Sequence, residues 1–122
     1  GDVLGTADSN LQADREVVLA AVGQTGRALR WADTALRADK EVVLAAVRQD
    51  AFALRYADAT MRADKAVVSE AVQRQGLVLQ IAAESLRADK EVVLAALRQE
   101  GAALDYVDAA LRTDKDVLRT AL

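Results

Sequence analysis

Residues 39–57 read DKEVVLAAVRQDAFALRYA, and residues 89–107 read DKEVVLAALRQEGAALDYV. Within the first stretch Val42, Val43, Ala46 and Val47 fall at i, i+1, i+4 and i+5. That spacing gathers on one face of an α-helix and scatters over both faces of a strand. Further on, Leu54, Ala57 and Met61 fall at i, i+3 and i+7, again a helical stripe. Each stretch is therefore predicted to hold a first helix, about Lys40 to Gln49, and a second, about Phe52 to Met61.

The same text runs through the whole chain. Asp14, Asp39, Asp64, Asp89 and Asp114 stand 25 residues apart, each opening a variant of the same phrase. Apolar columns keep that phase: Leu4, Leu29, Leu54, Leu79 and Leu104; Leu11, Leu36, Met61, Leu86 and Leu111; Val17, Val42, Val67, Val92 and Val117; Ala21, Ala46, Ala71, Ala96 and Ala121. These columns are the predicted core. Residues 1–122 are read as one all-α domain, a solenoid-like stack of short antiparallel helical hairpins with about ten helices. It divides into a half repeat at 1–11, full repeats at 12–36, 37–61, 62–86 and 87–111, and a half repeat at 112–122. Helices of ten residues do not persist alone in water, and a 25-residue unit faces an ordering cost of about 1.5 kcal/mol per residue. Stability must come from stacking.

Local signals mark the helix ends. Each repeated Asp precedes a first helix and is expected to act as its N-cap, accepting hydrogen bonds from free backbone N–H groups. Gly26, Gly76 and Gly101 follow first helices and are expected to end them in the left-handed conformation, with Ala51 fitting that turn less well. At the ends, Val117, Leu118 and Leu122 are expected on an open face. A longer array, or end-to-end contact through the termini, would cover such a face.

Composition excludes much chemistry. The 122 residues contain no cysteine, histidine or proline. Disulfides, thiolate nucleophiles, Cys/His zinc sites and the usual neutral-pH base are therefore absent. No catalytic residue, cofactor or metal is expected. A formal charge of -3 gives no global attraction to polyanions, and charges interrupt every window long enough to span a membrane. The chain is expected to be soluble, in the cytoplasm or an organelle interior in preference to outside the cell.

The pattern D-K-E-V-V-L-A-A-V-x-Q-x-G-x-A-L-x-Y-A, carried by Asp39 to Ala57 with Ala51 at the usual Gly and by Asp89 to Val107, resembles the repeat called domain of unknown function 4116. The resemblance covers nearly the whole chain. It implies a tandem helical array and brings no catalytic or ligand residues with it. The third unit departs most: Ser69 and Glu70 stand where the second has Leu44 and Ala45, and Ile81 and Ala83 where it has Tyr56 and Asp58.

Four columns are candidates for more than packing. Trp31, Tyr56, Ile81 and Tyr106 lie at the edge of the second helix's apolar stripe, with Phe52 and Leu77 one turn earlier. They suit either packing between neighbouring units or an aromatic ridge for a protein partner. Leu19, Leu44 and Leu94 share a column with Ser69 and Arg119, so that column is at least partly exposed and its leucines are candidate protein contacts. Arg37, Arg62, Arg87 and Arg112, beside Arg15, Lys40, Lys65, Lys90 and Lys115, form a basic column that could bind nucleic acid, although interleaved acids neutralise it. Asp33/Arg37, Asp58/Arg62 and Asp108/Arg112 have the acid-first i,i+4 spacing of helix ion pairs. The leading functional expectation is a non-catalytic protein-binding or scaffold module, an accessory subunit of a larger assembly; the alternative is a nucleic-acid-binding array using the Arg/Lys column.

Overall fold

A computed structural model of the chain describes the backbone of residues 7–122 and side chains from Arg15 onward. Leu4 and the rest of 1–6 lie outside the described residues, as do the side chains of Ala7, Asp8, Leu11 and Asp14. The described residues form α1 (Ala7–Gln24), α2 (Thr34–Arg37), α3 (Lys40–Gln49), α4 (Ala59–Arg62), α5 (Lys65–Arg74), α6 (Glu84–Arg87), α7 (Lys90–Gln99), α8 (Ala109–Arg112) and α9 (Lys115–Ala121). Four 3-10 segments, Gly26–Trp31, Ala51–Tyr56, Gly76–Ile81 and Gly101–Tyr106, complete the set, with no strand among the described residues. The molecule is an all-α repeat stack. Successive α1, α3, α5, α7 and α9 pack side by side in one layer, and the 3-10 segments pack on one another in a second.

The first-helix prediction matches α3, bounds included. The second helix does not form as one piece. Residues Ala51–Tyr56 wind as a 3-10 helix, Ala57 is extended at φ -76 and ψ 157, and Asp58 restarts the chain as the N-cap of α4. Spacing of i, i+3 fits three residues per turn as well as 3.6, so the stripe could not tell the two apart. At three of the breaks the restarting residue bonds to the neighbouring unit: the Asp58 N–H donates to the Arg37 carbonyl at 2.9 Å, Ala83 to Arg62 at 2.9 Å, and Asp108 to Arg87 at 2.9 Å. Ala83 makes this bond without any side-chain cap. These three restarts share the inter-unit bond and not the carboxylate, and the first unit breaks at the same position, Ala32 and Asp33.

The core fills the space between the layers. Val42, Val43, Ala46 and Val47 of α3 and Ala53, Leu54 and Ala57 beyond it are buried, as are their counterparts in the next unit. The valine column is not uniform. Val17 is 66% exposed whereas Val117, in the last unit, is fully buried and Leu118 half-buried. Each valine of the column is therefore covered by the unit before it, and of the three residues expected on an open end only Leu122, 97% exposed, stands clear. Met61, Leu104 and Leu111 are half-buried members of core columns.

The glycines have a role other than the one expected. No described residue has a positive φ; the first helices end on extended residues such as Asp50, and glycine follows as the first residue of the 3-10 segment. A Cβ on Gly26 would lie 2.5 Å from the Ala46 carbonyl oxygen, on Gly76 2.3 Å from that of Ala96, and on Gly101 2.6 Å from that of Ala121. Each glycine lets its backbone touch the end of the next unit's first helix. At Ala51 the methyl group is present and buried, and α3 and α5 pack less closely than α1 with α3 or α5 with α7.

The Asp-Lys phrase supplies the polar half of the junction. Asp39, Asp64, Asp89 and Asp114 each accept two backbone N–H groups, from Glu41 and Val42 in the case of Asp39. The residue after each Asp reaches the cap of the following unit: Arg15 Nε to Asp39 at 2.9 Å, Lys40 to Asp64 at 3.5 Å, Lys65 to Asp89 at 3.0 Å and Lys90 to Asp114 at 3.1 Å. A second acid in the first turn joins the pair, as Glu41 does for Arg15, Glu91 for Lys65 and Asp116 for Lys90. Asp14 departs from the expectation, because α1 runs through it without a break. A continuous helix satisfies the backbone N–H groups that a cap would otherwise take.

Two outcomes follow from the junction. Gly76→Ala is expected to destabilise by about 1–3 kcal/mol, since the new methyl group meets backbone, while Gly23→Ala, whose Cβ would meet nothing within 4 Å, is expected to be neutral or to stabilise by up to about 1 kcal/mol; thermal melts of the two variants check the contrast. The ladder also sets a pH window. The Arg15 hydrogen bond holds the Asp39 carboxyl below its ordinary value, and the Lys90 hydrogen bond does the same for Asp114. At Asp89 burial pushes upward most strongly, but the Lys65 bond and the Val92 and Glu91 N–H groups together outweigh it. Carboxylates with depressed values stabilise the fold above their unfolded pKa and lose that contribution as pH falls through the folded one. Lys65 and Lys90 are raised by their acidic partners, and their contribution is lost as pH rises past the ordinary lysine range. The melting temperature is expected to be level between about pH 5 and 9, falling below about pH 4 and above about pH 10.5, with the acid slope reduced in high salt.

Candidate functional site

With the helix caps and the Asp-Lys ladder accounted for, the remaining candidates lie on the two outer faces. On the 3-10 face, Trp31 is 76% exposed and the Arg30 guanidinium lies over its ring, 4.4 Å from the centroid. Tyr56, Ile81 and Tyr106 of the same column are half-buried, so the column packs at its base and shows an edge to solvent. Phe52 and Leu77 are half-buried too, and the Arg55 guanidinium stands 5.8 Å from the Phe52 ring. Arg27, Asp50, Phe52, Arg55, Tyr56 and Gln75 line a cleft of about 310 Å³ between adjacent units. Asp50 is already engaged in it, accepting the Phe52 N–H at 3.0 Å and facing Arg27 at 3.7 Å. The arginines stacked on the aromatics were missed in the sequence, although the order Arg30, Arg55, Gln80, Asp105 in the adjacent column carried the signal.

On the opposite layer Leu19, Leu44, Ser69 and Leu94 are all half-buried and Arg119 is exposed. Leu94 shares a shallow groove of about 360 Å³ with Ser69 and Gln73 of α5 and Ala95 and Arg98 of α7, closed at one end by the Lys65–Glu91 pair. The drifted third unit adds an ion pair: Glu70, standing where the second unit has Ala45, receives Arg48 Nε at 2.7 Å across the junction and Arg74 at 3.5 Å within its own helix. Arg48 is the main cause that holds the Glu70 carboxyl below its ordinary value.

Five of the nine residues of the basic column are engaged by structure. Arg15, Lys40, Lys65 and Lys90 pair across junctions, and Arg112 donates to the Val107 and Asp105 carbonyls at 3.0 and 2.9 Å. Arg37 and Arg87 keep a buried Nε without a hydrogen-bond partner, in the position from which Arg112 reaches Val107. Arg62 faces a cleft of about 250 Å³ with Arg87 and Glu84. The i,i+4 reading of the acids is corrected: Asp33, Asp58 and Asp108 cap α2, α4 and α8 by accepting from Leu36, Thr60 and Ala110, a use available only because the chain restarts at that point. Hydrogen bonds from the Thr60 N–H and hydroxyl, then the charges of Arg62 and Arg37, hold Asp58 below its ordinary value.

Among the described residues no polar or charged side chain is buried, and no three acids gather as a metal site would need. No helix among them is long and apolar enough to cross a membrane. The arrangement among the described residues presents edges and shallow, open grooves.

Comparison with known proteins agrees with the repeat. Neither the curated proteins nor the solved structures contain a match to the chain. Three overlapping segments, residues 14–62, 39–87 and 64–112, each match the family described as a domain of unknown function, DUF4116. The overlaps advance by one 25-residue unit, as a stack of like units sharing like junctions requires, and the chain belongs to the DUF4116 family.

Proposed function

We infer that this array is a non-catalytic scaffold that binds protein, an accessory element of a larger assembly. The observation that carries this reading is Trp31: a large aromatic 76% exposed, with an arginine laid on its face, at the head of a column that continues through Tyr56 and Tyr106. Burying apolar area that large in water is favourable, and Trp, Tyr and Arg are the residues that dominate protein interfaces. The half-buried leucines Leu19, Leu44 and Leu94 offer a second apolar strip on the other layer. A non-catalytic role is supported by the use of charge: Lys40, Lys65 and Lys90 are occupied by Asp64, Asp89 and Asp114, the caps of the following units. The same pairing weakens the nucleic-acid alternative, because a paired lysine offers a phosphate less than a free one.

Affinity purification at near-native salt tests the reading. The wild-type chain is expected to retain a discrete protein partner, and Trp31→Ala, which removes an exposed side chain and should leave the melting curve unchanged, is expected to weaken retention at least about tenfold. Recovery of no partner, or equal recovery by the variant, overturns it.

A further inference from the structure

We propose that the first half of the 3-10 face, around Arg27, Arg30, Trp31, Phe52, Arg55 and Tyr56, is a docking surface for a short acidic segment of a protein partner; this deepens the protein-binding reading and rests on it. Stacking makes the same demand on every unit, and the core and ladder columns repeat accordingly. The outer columns of the 3-10 segments do not. One runs Arg30, Arg55, Gln80, Asp105, all four exposed; the next runs Arg27, Phe52, Leu77, Ala102; and the residues preceding the segments run Thr25, Asp50, Gln75, Glu100. The face is arginine-rich over its first two units, neutral in the third and acidic in the fourth. Nothing in the packing of exposed side chains accounts for that drift.

The basic half is also the shaped half. Its cleft of about 310 Å³ is bounded by Arg27 from one unit and by Phe52, Arg55 and Tyr56 from the next, large enough for one apolar side chain of a bound segment. Arg27 is 74% exposed, and the one acid in the cleft, Asp50, is occupied by the Phe52 N–H and by Arg27. Three guanidiniums against a single engaged carboxylate leave an excess of positive charge. Two of those guanidiniums, Arg30 and Arg55, lie against aromatic rings at 4.4 and 5.8 Å from the centroids, which limits their rotamer freedom. A planar donor held this way presents its fork to a carboxylate at lower entropic cost.

Length discriminates between the two polyanionic classes. A nucleic-acid strand following the face would run from the arginines onto Gln80, Glu100 and Asp105 and be repelled there. A short segment with a few carboxylates flanking an apolar residue meets only the favourable half. The charge pattern therefore fits an acidic peptide.

Trp31 is the chain's single tryptophan, so its emission reports on this surface directly. The full chain is titrated at about 0.1 M salt with three probes: a peptide of about a dozen residues with glutamates flanking a Leu-Leu centre, its lysine counterpart, and an oligouridylate of similar length. The glutamate peptide is expected to change Trp31 emission and to bind at least about tenfold more tightly than the lysine peptide. The double substitution Arg27→Glu and Arg55→Glu, on exposed side chains, is expected to reverse that preference with an unchanged melting curve. Equal binding of the two peptides, no emission change with either, a preference that survives charge reversal, or tighter binding of the oligouridylate than of the glutamate peptide each overturns the proposal. A partner whose capture depends on Trp31 but is indifferent to the charge reversal would sink the acidic-segment proposal alone, whereas capture indifferent to Trp31→Ala removes the underlying reading.

Discussion

Backbone meets backbone across each junction, and that close approach is the constraint from which the rest of the stack follows. A glycine at the start of one unit's 3-10 segment lies against the last turn of the next unit's first helix, with room for a hydrogen and not for a methyl group. One carbonyl of each of the short helices α2, α4 and α6, at Arg37, Arg62 and Arg87, receives the N–H of Asp58, Ala83 and Asp108 in turn. The two contacts fix the spacing and the register of neighbouring units together. Within that register the valine column buries against the preceding unit, the leucine column loses cover at Leu104 in the last unit, and Lys40, Lys65 and Lys90 arrive beside the next cap.

Much of this was legible in the sequence because repetition acts as its own alignment. Val42, Val43, Ala46 and Val47 announced a helix and its inward face, and Asp39 announced where it starts; α3 has those bounds, that face and that cap. The second half of each unit was misread for a physical reason. Leu54 and Ala57 share a face in either helix type, and the break at Ala57 and Asp58 comes with a bond to a carbonyl 21 residues earlier, which no local pattern encodes. Gly76 was misread similarly, since a glycine after a helix serves a left-handed turn in one context and close approach in another, and only the neighbour at Ala96 distinguishes them. Val17 and Val117 share a column, yet one is open and the other buried, because burial belongs to the pair of units and not to the residue.

The dipeptide that marks the repeat combines two duties. Its acid ends a helix's demand for hydrogen bonds, and its base carries charge to the next acid, so that each Asp is both a local cap and a long-range partner. Exposed ion pairs of this kind contribute little singly. Repeated at every junction they favour one register, because a unit slipped by one residue would place Lys against backbone and leave the cap unpaired. The ladder adds specificity where the apolar columns, rich in interchangeable Val, Leu and Ala, supply mainly adhesion.

Two departures from the repeat meet at the junction between the second and third full units. Ala51 replaces the glycine there, and the first helices on either side pack less closely than their neighbours do. Across that same junction Glu70 replaces an alanine and binds Arg48 at 2.7 Å, while Arg74 donates to the Arg48 carbonyl at 3.3 Å. A methyl group at this contact thus coexists with charged side chains that cross the junction. Backbone contact falls off within a fraction of an ångström, whereas an ion pair between flexible side chains tolerates larger displacement. The junction at Ala51 therefore adds ion pairing to the backbone bond and buried core that it shares with its neighbours, and the 3-10 cleft flanked by Phe52 and Tyr56 lies beside it.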